Sequence, residues 1–253
     1  ESGEVQGGIS EKLSEQDRES GIRLACQATV AGDVTIRVTD ESALNKDALK
    51  ALASGPVQQA TLIGAEELKA EGRYQPTLDK VYVQAQPPSL DDNRNDVDRL
   101  LAVLKEKGEH RFALEFEAIR ELAGAWRDSD WQVTATVLRA VYNETGHNRI
   151  LRIEPGDTSS RNIAVAVDLG TTTVWAQFLD LNTGQVLGTE GDFNSQIGFG
   201  EDVITRIIYA GKPGGMRRLQ DAAAKSINGV IKPLARNTGV DLEDISLCLL
   251  AGN

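Results

Sequence analysis

The stretch Ile163–Asp180, IAVAVDLGTTTVWAQFLD, constrains the fold of this chain more than any other. Ile163–Val167 is an apolar, β-branched run typical of a buried strand. Thr173–Leu179 is a second run of the same kind, and only a short polar segment separates the two. We therefore predict an antiparallel hairpin whose tip lies at Asp168–Thr173.

The tip of this hairpin carries groups that suit a phosphate chain and its metal ion. Gly170 lets the main chain approach a ligand closely, because it has no Cβ atom. Thr171, Thr172 and Thr173 offer hydroxyls and amides, and Asp168 offers a carboxylate. On the residues alone, an ordinary polar turn is the alternative interpretation.

The segments after the hairpin predict an α/β unit. Gln185–Thr189 reads as a third strand of a meander, and the Gly-rich loop Asp192–Val203 leads into a helix. A long helix is predicted over Met216–Asn237, followed by the strand Ile245–Leu250. We expect Cys248 to lie in the core, because it sits inside this apolar strand.

A smaller α+β unit is predicted over residues 81–157, and residues 39–80 read as a connector with short helices at Ala43–Ala53 and Gly64–Gly72. The elements expected in the smaller unit are the strand Val81–Ala85, a helix capped by Ser89, the helix Leu114–Trp126, and the strands Trp131–Tyr142 and Arg149–Glu154. The second of these helices is expected to bury Phe116, Ile119 and Leu122.

Composition excludes several functions. The net charge of −11 over 253 residues argues against a nucleic-acid surface. No run approaches the roughly 18 apolar residues that span a bilayer, and no signal-peptide pattern is present. The two cysteines lie far apart, so we expect no disulfide framework and a reducing, cytoplasmic compartment. Both ends of the sequence look truncated, and we interpret the chain as a fragment of a longer protein.

The first 38 residues contain a helix start at Ser14 and an alternating, strand-like segment Gly32–Val38. Between them, Leu13–Gln27 reads LSEQDRESGIRLACQ. This run resembles the tail of a plant-type [2Fe–2S] ferredoxin domain with a β-grasp fold, and the resemblance puts Cys26 on the fourth cluster ligand. The other three ligands belong to a C-x₄-C-x₂-C run that this chain lacks, so we expect the chain alone not to bind the cluster. A small buried residue is the alternative for Cys26.

Residues 163–253 resemble the first part of the ASKHA superfamily, which has an actin-like, ribonuclease H-like core. The final Ala251-Gly252-Asn253 matches the start of that superfamily's second phosphate hairpin. Asn194–Ile207, NSQIGFGEDVITRI, resembles the N-x-Q…G-x-DV-x-x-R signature of one branch, the reductive activators of corrinoid-dependent methyltransferases (RACo or RamA type). The domain order of that branch implies ferredoxin tail 1–38, linker 39–80, middle domain 81–157 and ASKHA part 163–253.

The resemblance implies ATP-dependent reductive activation of a corrinoid protein. One electron passes from a [2Fe–2S] cluster to Co(II) and regenerates Co(I) for methyl transfer. By position in the motifs, Asp168 would hold Mg²⁺ through water. The residues that would contact ATP are Gly170, Thr171, Thr172, Thr173, Asn194, Gln196, Gly252 and Asn253. Glu201 or Asp202 would orient the attacking water, with a plain capped helix as the alternative.

The resemblance implies two partners, a corrinoid protein or corrinoid-dependent methyltransferase and an external low-potential electron donor. We expect the activator itself to be a homodimer that engages no membrane. An ASKHA small-molecule kinase and a non-catalytic iron–sulfur electron carrier are the rival functions. An activator of the 2-hydroxyacyl-CoA dehydratase type is a third, but it would hold a [4Fe–4S] cluster through its own cysteines. We expect this chain alone to be inactive.

Overall fold

The computed structural model describes residues 4–9, 13–36, 65–108, 111–140 and 146–252. The chain divides into two compact units, Glu1–Asn45 and Lys46–Asn253. The helix predicted at Ala43–Ala53 lies outside the described residues.

The first unit pairs strand β1 (Val5–Gly7) antiparallel with strand β2 (Ala28–Val30). Between them lies helix α1 (Glu15–Glu19), which Ser14 caps as predicted: its hydroxyl accepts a hydrogen bond from the amide of Asp17 at 3.2 Å. Of the strand predicted at Gly32–Val38, the described part up to Ile36 contains only an isolated β-bridge at Thr35, so an extended strand is wrong there, and Arg37 and Val38 lie outside the described residues.

The second unit begins, among the described residues, with helix α2 (Ala65–Ala70), which confirms the short helix predicted there. A four-stranded sheet follows in the order β3-β5-β6-β4, with β4 parallel to β6 and the other pairs antiparallel. Its elements along the chain are β3 (Leu78–Gln84), α3 (Asp96–Glu106), β4 (Phe112–Leu114), α4 (Phe116–Asp128), β5 (Gln132–Leu138) and β6 (Asn148–Pro155).

Helices α3 and α4 pack on one face of this sheet. Leu100 and Leu104 of α3 are fully buried, as is Trp126 of α4, which stacks on Trp131 with ring centroids 5.7 Å apart. Val83 and Ala135 supply the sheet side of the same core. The structure thus contains the α+β arrangement that the sequence predicted for residues 81–157.

Helix α3 does not begin where the sequence predicted. Its N-cap is Asn95, whose side chain accepts from the amide of Asp98 at 2.8 Å, and not Ser89. Ser89 instead closes a turn with the amide of Asp92. The buried Arg99 guanidinium then binds the Asp92 carboxylate at 2.8 Å and neighbouring carbonyls, which holds the segment before Asn95 out of the helix.

The predicted burial in helix α4 is correct for Leu122 and wrong for Phe116 and Ile119, which are 70% and 46% exposed. The buried positions of α4 are Ala118, Leu122, Ala125 and Trp126. The large indole of Trp126 enters the core, and residues four and eight positions before it share its face. Phe116 falls on the opposite side, and Ile119 lies at the edge of the buried face, where it stays partly exposed.

A second sheet holds the hairpin, in the order β10-β7-β8-β9. Strands β7 (Ile163–Leu169), β8 (Thr173–Asp180) and β9 (Val186–Phe193) form the predicted antiparallel meander. After helices α5 (Val203–Ala210) and α6 (Gly215–Thr238), strand β10 (Ile245–Gly252) joins parallel to β7. These elements confirm the mixed α/β class.

The long helix α6 covers one face of this second sheet. Val230 and Leu234 of α6 pack against Val165, Val167 and Phe178. Side chains alternate between the two faces of a strand, so Ala166 and Asp168 lie on the face of β7 opposite to α6, where both are exposed. Among the described helices, none is both long and apolar enough to cross a membrane.

The prediction that Cys248 lies in the core is wrong, because its thiol is free and exposed. Strand β10 pairs with β7 on one side and has no partner strand on its other side within the described residues. Leu249 and Leu250, next along this edge strand, are also exposed. An apolar run identifies a strand, but it does not say whether neighbours cover both faces.

Candidate functional site

The tip of the β7–β8 hairpin consists of Gly170, Thr171 and Thr172, since β7 ends at Leu169 and β8 begins at Thr173. Asp168 pairs with Trp175 across the two strands, just before the tip. The structure therefore brings the carboxylate and the small polar residues to one end of the sheet, as the sequence predicted.

Side chains and amides behind the tip bind all three of its carbonyl groups. The side-chain amide of Asn194 donates to the carbonyl of Gly170 at 2.8 Å, and its main-chain amide donates to that of Thr172 at 2.8 Å. The guanidinium of Arg206 donates to the carbonyl of Thr171 at 2.6 Å. The tip is thus held in place by two residues that lie outside the hairpin.

This anchoring decides which way the amides of the tip point. In a trans peptide the C=O and N–H bonds point in opposite directions. With the carbonyls of Gly170 and Thr171 directed toward Asn194 and Arg206, the amides of Thr171 and Thr172 are directed away from them. Neither amide has an acceptor among the residues that the structure describes. Convergent free amides are what an anion-binding turn requires.

Glycine is needed at two positions near the tip because of close contacts, not because of a left-handed conformation. A Cβ atom on Gly170 would lie 2.9 Å from the carbonyl oxygen of Thr173. Gly252 pairs with Leu169 across β10 and β7, and a Cβ there would lie 3.0 Å from the Leu169 oxygen. Gly252 therefore lies beside the tip, whereas Asn253 is outside the described residues.

Asn194 and Gln196 support the tip from behind. Asn194 is 1% exposed, and its side-chain oxygen accepts from the amide of Gln196 at 2.9 Å. The side chain of Gln196 donates to the carbonyl of Leu219 in α6 at 3.0 Å. These contacts tie the tip to the long helix, and a direct contact of either side chain with a nucleotide stays a prediction.

Glu201 and Asp202 lie beside a shallow depression of about 530 Å³ that also includes Thr171. Asp202 is the N-cap of α5: its two carboxylate oxygens accept from the amide and the hydroxyl of Thr205, at 2.8 and 2.9 Å. These hydrogen bonds lower the pKa of Asp202. The capped-helix alternative therefore describes what Asp202 does in the structure.

Replacing Asp202 with alanine is expected to increase hydrogen exchange in α5 about fivefold at neutral pH, because the cap is lost. D202N keeps a capping oxygen and should exchange more slowly than D202A. Because folding lowers this pKa, the contribution of the charge is present above about pH 4 and is lost as the pH falls further. Mass-spectrometric exchange tests this with α6 as internal reference, and equal exchange in wild type and D202A would contradict it.

Arg206 is the site residue that the sequence reading missed. It closes the N-x-Q…G-x-DV-x-x-R signature, and that position in the motif was the signal that could have found it. Burial lowers the pKa of Arg206 by desolvating the guanidinium, and the carboxylate of Asp202 opposes this. An arginine keeps its charge under such conditions, so a cation lies directly behind the tip.

Comparison with known proteins identifies the group to which these features belong. The family model described as "RACo linker region" matches residues 67–160, and the one described as "RACo middle region" matches residues 163–253. The chain belongs to the RACo family. What the family calls the linker region overlaps the part that we called the middle domain, and its middle region is the part that we called the ASKHA part. In both divisions the boundary between these two parts lies near residue 161.

Two relatives of this RACo chain carry descriptive names. The corrinoid activation enzyme RamQ of Eubacterium limosum is 32% identical over 108 residues, which is 42% of this chain and 18% of RamQ. A solved structure, "Reductive activator for corrinoid,iron-sulfur protein", matches all of this chain with 31% identity and a TM-score of 0.61. The match covers 39% of that protein, so this chain spans a minor part of either relative's length.

The RACo resemblance implies an iron–sulfur cluster, and the chain's own residues do not make a complete site for one. Cys26 lies in the short 3-10 turn Ala25–Gln27 just before β2. Four thiolates hold a [2Fe–2S] cluster, and the sequence contains two cysteines, of which Cys248 belongs to the second unit. Within the described ranges, no group of three or more His, Cys, Asp or Glu side chains could hold a metal ion.

Proposed function

We propose that the full-length protein is an ATP-dependent reductive activator of a corrinoid protein. Membership of the RACo family and the names of the two relatives support this role. The observation in this chain that carries the ATP part is the hairpin tip. Its carbonyls are bound from behind, while the amides of Thr171 and Thr172 are free to face an anion.

In this proposal the tip and its neighbours hold the phosphates of ATP. Asp168 binds Mg²⁺ through a water molecule, and Mg²⁺ commonly keeps several waters in such sites. The residues that contact the β- and γ-phosphates are Gly170, Thr171, Thr172 and Thr173 from one side and Gly252 and Asn253 from the other. Asn194 and Gln196 keep the tip in place, and their proposed contact with nucleotide is secondary to that support.

Glu201 is the better candidate of the two acids for orienting the attacking water. Both oxygens of Asp202 are used in capping α5, and a carboxylate with a lowered pKa is a weaker base. Glu201 is exposed beside the same depression as Thr171.

The electron part of the proposal rests on the family alone. Cys26 supplies one of the four thiolates of a [2Fe–2S] cluster, and the other three are not among the residues of this chain. In the full-length protein such a cluster would supply the one electron that converts Co(II) to Co(I), with free energy from ATP hydrolysis to ADP and phosphate, and an external low-potential donor would supply electrons to the cluster. The partner is a corrinoid protein or a corrinoid-dependent methyltransferase, and the activator acts as a homodimer.

The test uses the full-length protein with a corrinoid protein in the Co(II) state and a low-potential reductant. We expect Mg-ATP to increase the rate of Co(I) formation, followed by visible absorption, at least about tenfold over the same mixture with a non-hydrolysable ATP analogue. Nucleotide binding without ATPase activity or Co(I) would favour a non-catalytic electron carrier. Transfer of the γ-phosphate to a small acid or sugar would favour a kinase.

A further inference from the structure

We propose that Arg206 is a positioning residue that aims the amides of the hairpin tip at the phosphates of the nucleotide. The inference rests on the proposed function, because it assigns a role within the same site. Arg206 does not touch the nucleotide in this proposal. It acts through the peptide that joins Thr171 to Thr172.

The contacts of Arg206 connect helix α5 to two other segments of the chain, the hairpin tip and the short 3-10 turn that ends at Gly200. Its Nη2 donates to the carbonyl of Thr171 at 2.6 Å, and its Nε donates to the carbonyl of Gly200 at 2.8 Å. Its Nη1 lies 3.4 Å from the side-chain oxygen of Gln196. A planar guanidinium can make these bonds at once, since its donors are held in a rigid fork. A flexible ammonium group cannot reproduce all three.

The bond to Thr171 also changes the electronic character of the tip. The carbonyl of Thr171 and the amide of Thr172 belong to one peptide group. A charged donor on the carbonyl forms a stronger bond than a neutral donor, and hydrogen bonds in series polarise one another. The charge of Arg206 therefore makes the Thr172 amide a better donor to an anion in front of the tip.

The other support of the tip is neutral. Asn194 binds the carbonyls of Gly170 and Thr172 through its side-chain and main-chain amides. Among the described residues, Arg206 is the one that brings a positive charge to the middle peptide, and its partial burial weakens the screening of that charge by water. The two supports therefore differ in kind: Asn194 fixes the shape of the tip, and Arg206 fixes and polarises its central amide.

The variants R206K and R206A in the full-length protein test this role, with titration calorimetry of Mg-ATP and of adenosine. We expect R206K to weaken Mg-ATP binding about tenfold, because the rigid fork of donors is lost, and R206A about 50-fold, because the charge is lost as well. Adenosine affinity should stay within about twofold of the wild type, because adenosine has no phosphate to contact the tip. A general structural defect would weaken the binding of both ligands.

The matched control is R218A. Arg218 lies in α6, where its guanidinium donates to the Tyr209 hydroxyl and to the carbonyl of Pro213, away from the hairpin. We expect R218A to bind Mg-ATP like the wild type. Added guanidinium ion, at a concentration below that which unfolds the protein, should restore part of the Mg-ATP affinity of R206A and leave R218A unchanged.

The outcomes separate this inference from the proposed function. A wild-type protein that does not bind Mg-ATP overturns both. Wild-type binding with unchanged affinity in R206A, or an equal loss for adenosine, overturns only the role of Arg206. Should R206A fail to fold, R206K decides in its place, and wild-type affinity in a folded R206K would overturn the role.

Discussion

Replacing Asp168 with alanine is expected to lower the affinity of the full-length protein for Mg-ATP about 100-fold. The carboxylate lies at the end of β7, exposed on the face of the sheet that α6 does not cover. Losing a carboxylate that orders the waters of a metal ion costs about 10–100-fold in metal affinity, and uncompensated phosphate charge adds to this loss. Calorimetric titration of Mg-ATP and of ATP with EDTA measures the effect.

The comparison of D168A with D180N makes this test specific. Asp180 is at the opposite end of β8, where its carboxylate accepts from the Asn182 amide and the Thr183 hydroxyl. D180N removes a negative charge from the same sheet, so it should leave Mg-ATP affinity unchanged. Affinity in D168A that equals the wild type, or an equal loss in D180N, would refute the assignment of Asp168 to the metal ion.

Replacing Asn194 with alanine is expected to have the second large effect, on stability as well as binding. The side chain is 1% exposed and makes hydrogen bonds to the carbonyl of Gly170 and to the amide of Gln196. Leaving such buried partners unsatisfied costs about 1–3 kcal/mol each. We expect the free energy of unfolding to fall by about 3 kcal/mol in urea titrations and the Mg-ATP affinity to fall at least about tenfold.

Two further variants test whether the side-chain NH2 group of Asn194 is what supports the tip. N194D keeps an oxygen that can accept from the amide of Gln196, but it places a carboxylate against the Gly170 carbonyl. It should therefore be no more stable than N194A and bind Mg-ATP no better, because the second carboxylate oxygen is buried against acceptors and has no donor. N228A removes an exposed asparagine whose side chain binds the carbonyl of Ala224, and it should change neither quantity. Wild-type nucleotide affinity in N194D would contradict the support of the tip by residue 194.

Features that depend on neighbours in the sequence were predictable. Alternation of apolar residues and a short polar turn place the β7–β8 hairpin correctly, and the helix-breaking residues before Gly215 place the start of the long helix α6. The capping pattern likewise locates α1 after Ser14. In each case the forces that define the element act within a few residues.

Features that depend on a distant partner were predicted wrongly. Ser89 has the character of a helix cap, but contacts of Arg99 keep its segment irregular. Phe116 is apolar and still exposed, because Trp126 decides which face of α4 enters the core. Cys248 lies in an apolar strand, but the described neighbours leave its side chain exposed. Periodicity identifies a face, and packing decides whether that face is covered.

The hairpin tip combines both kinds of information. Its aspartate, glycine and threonines can be recognised in the sequence as phosphate-binding residue types. The direction of its amides cannot, because the donors that anchor its carbonyls lie 24 and 35 residues further along, in Asn194 and Arg206. Residue types thus define the chemistry available at the tip, and only folding brings the donors behind it that turn the free amides outward.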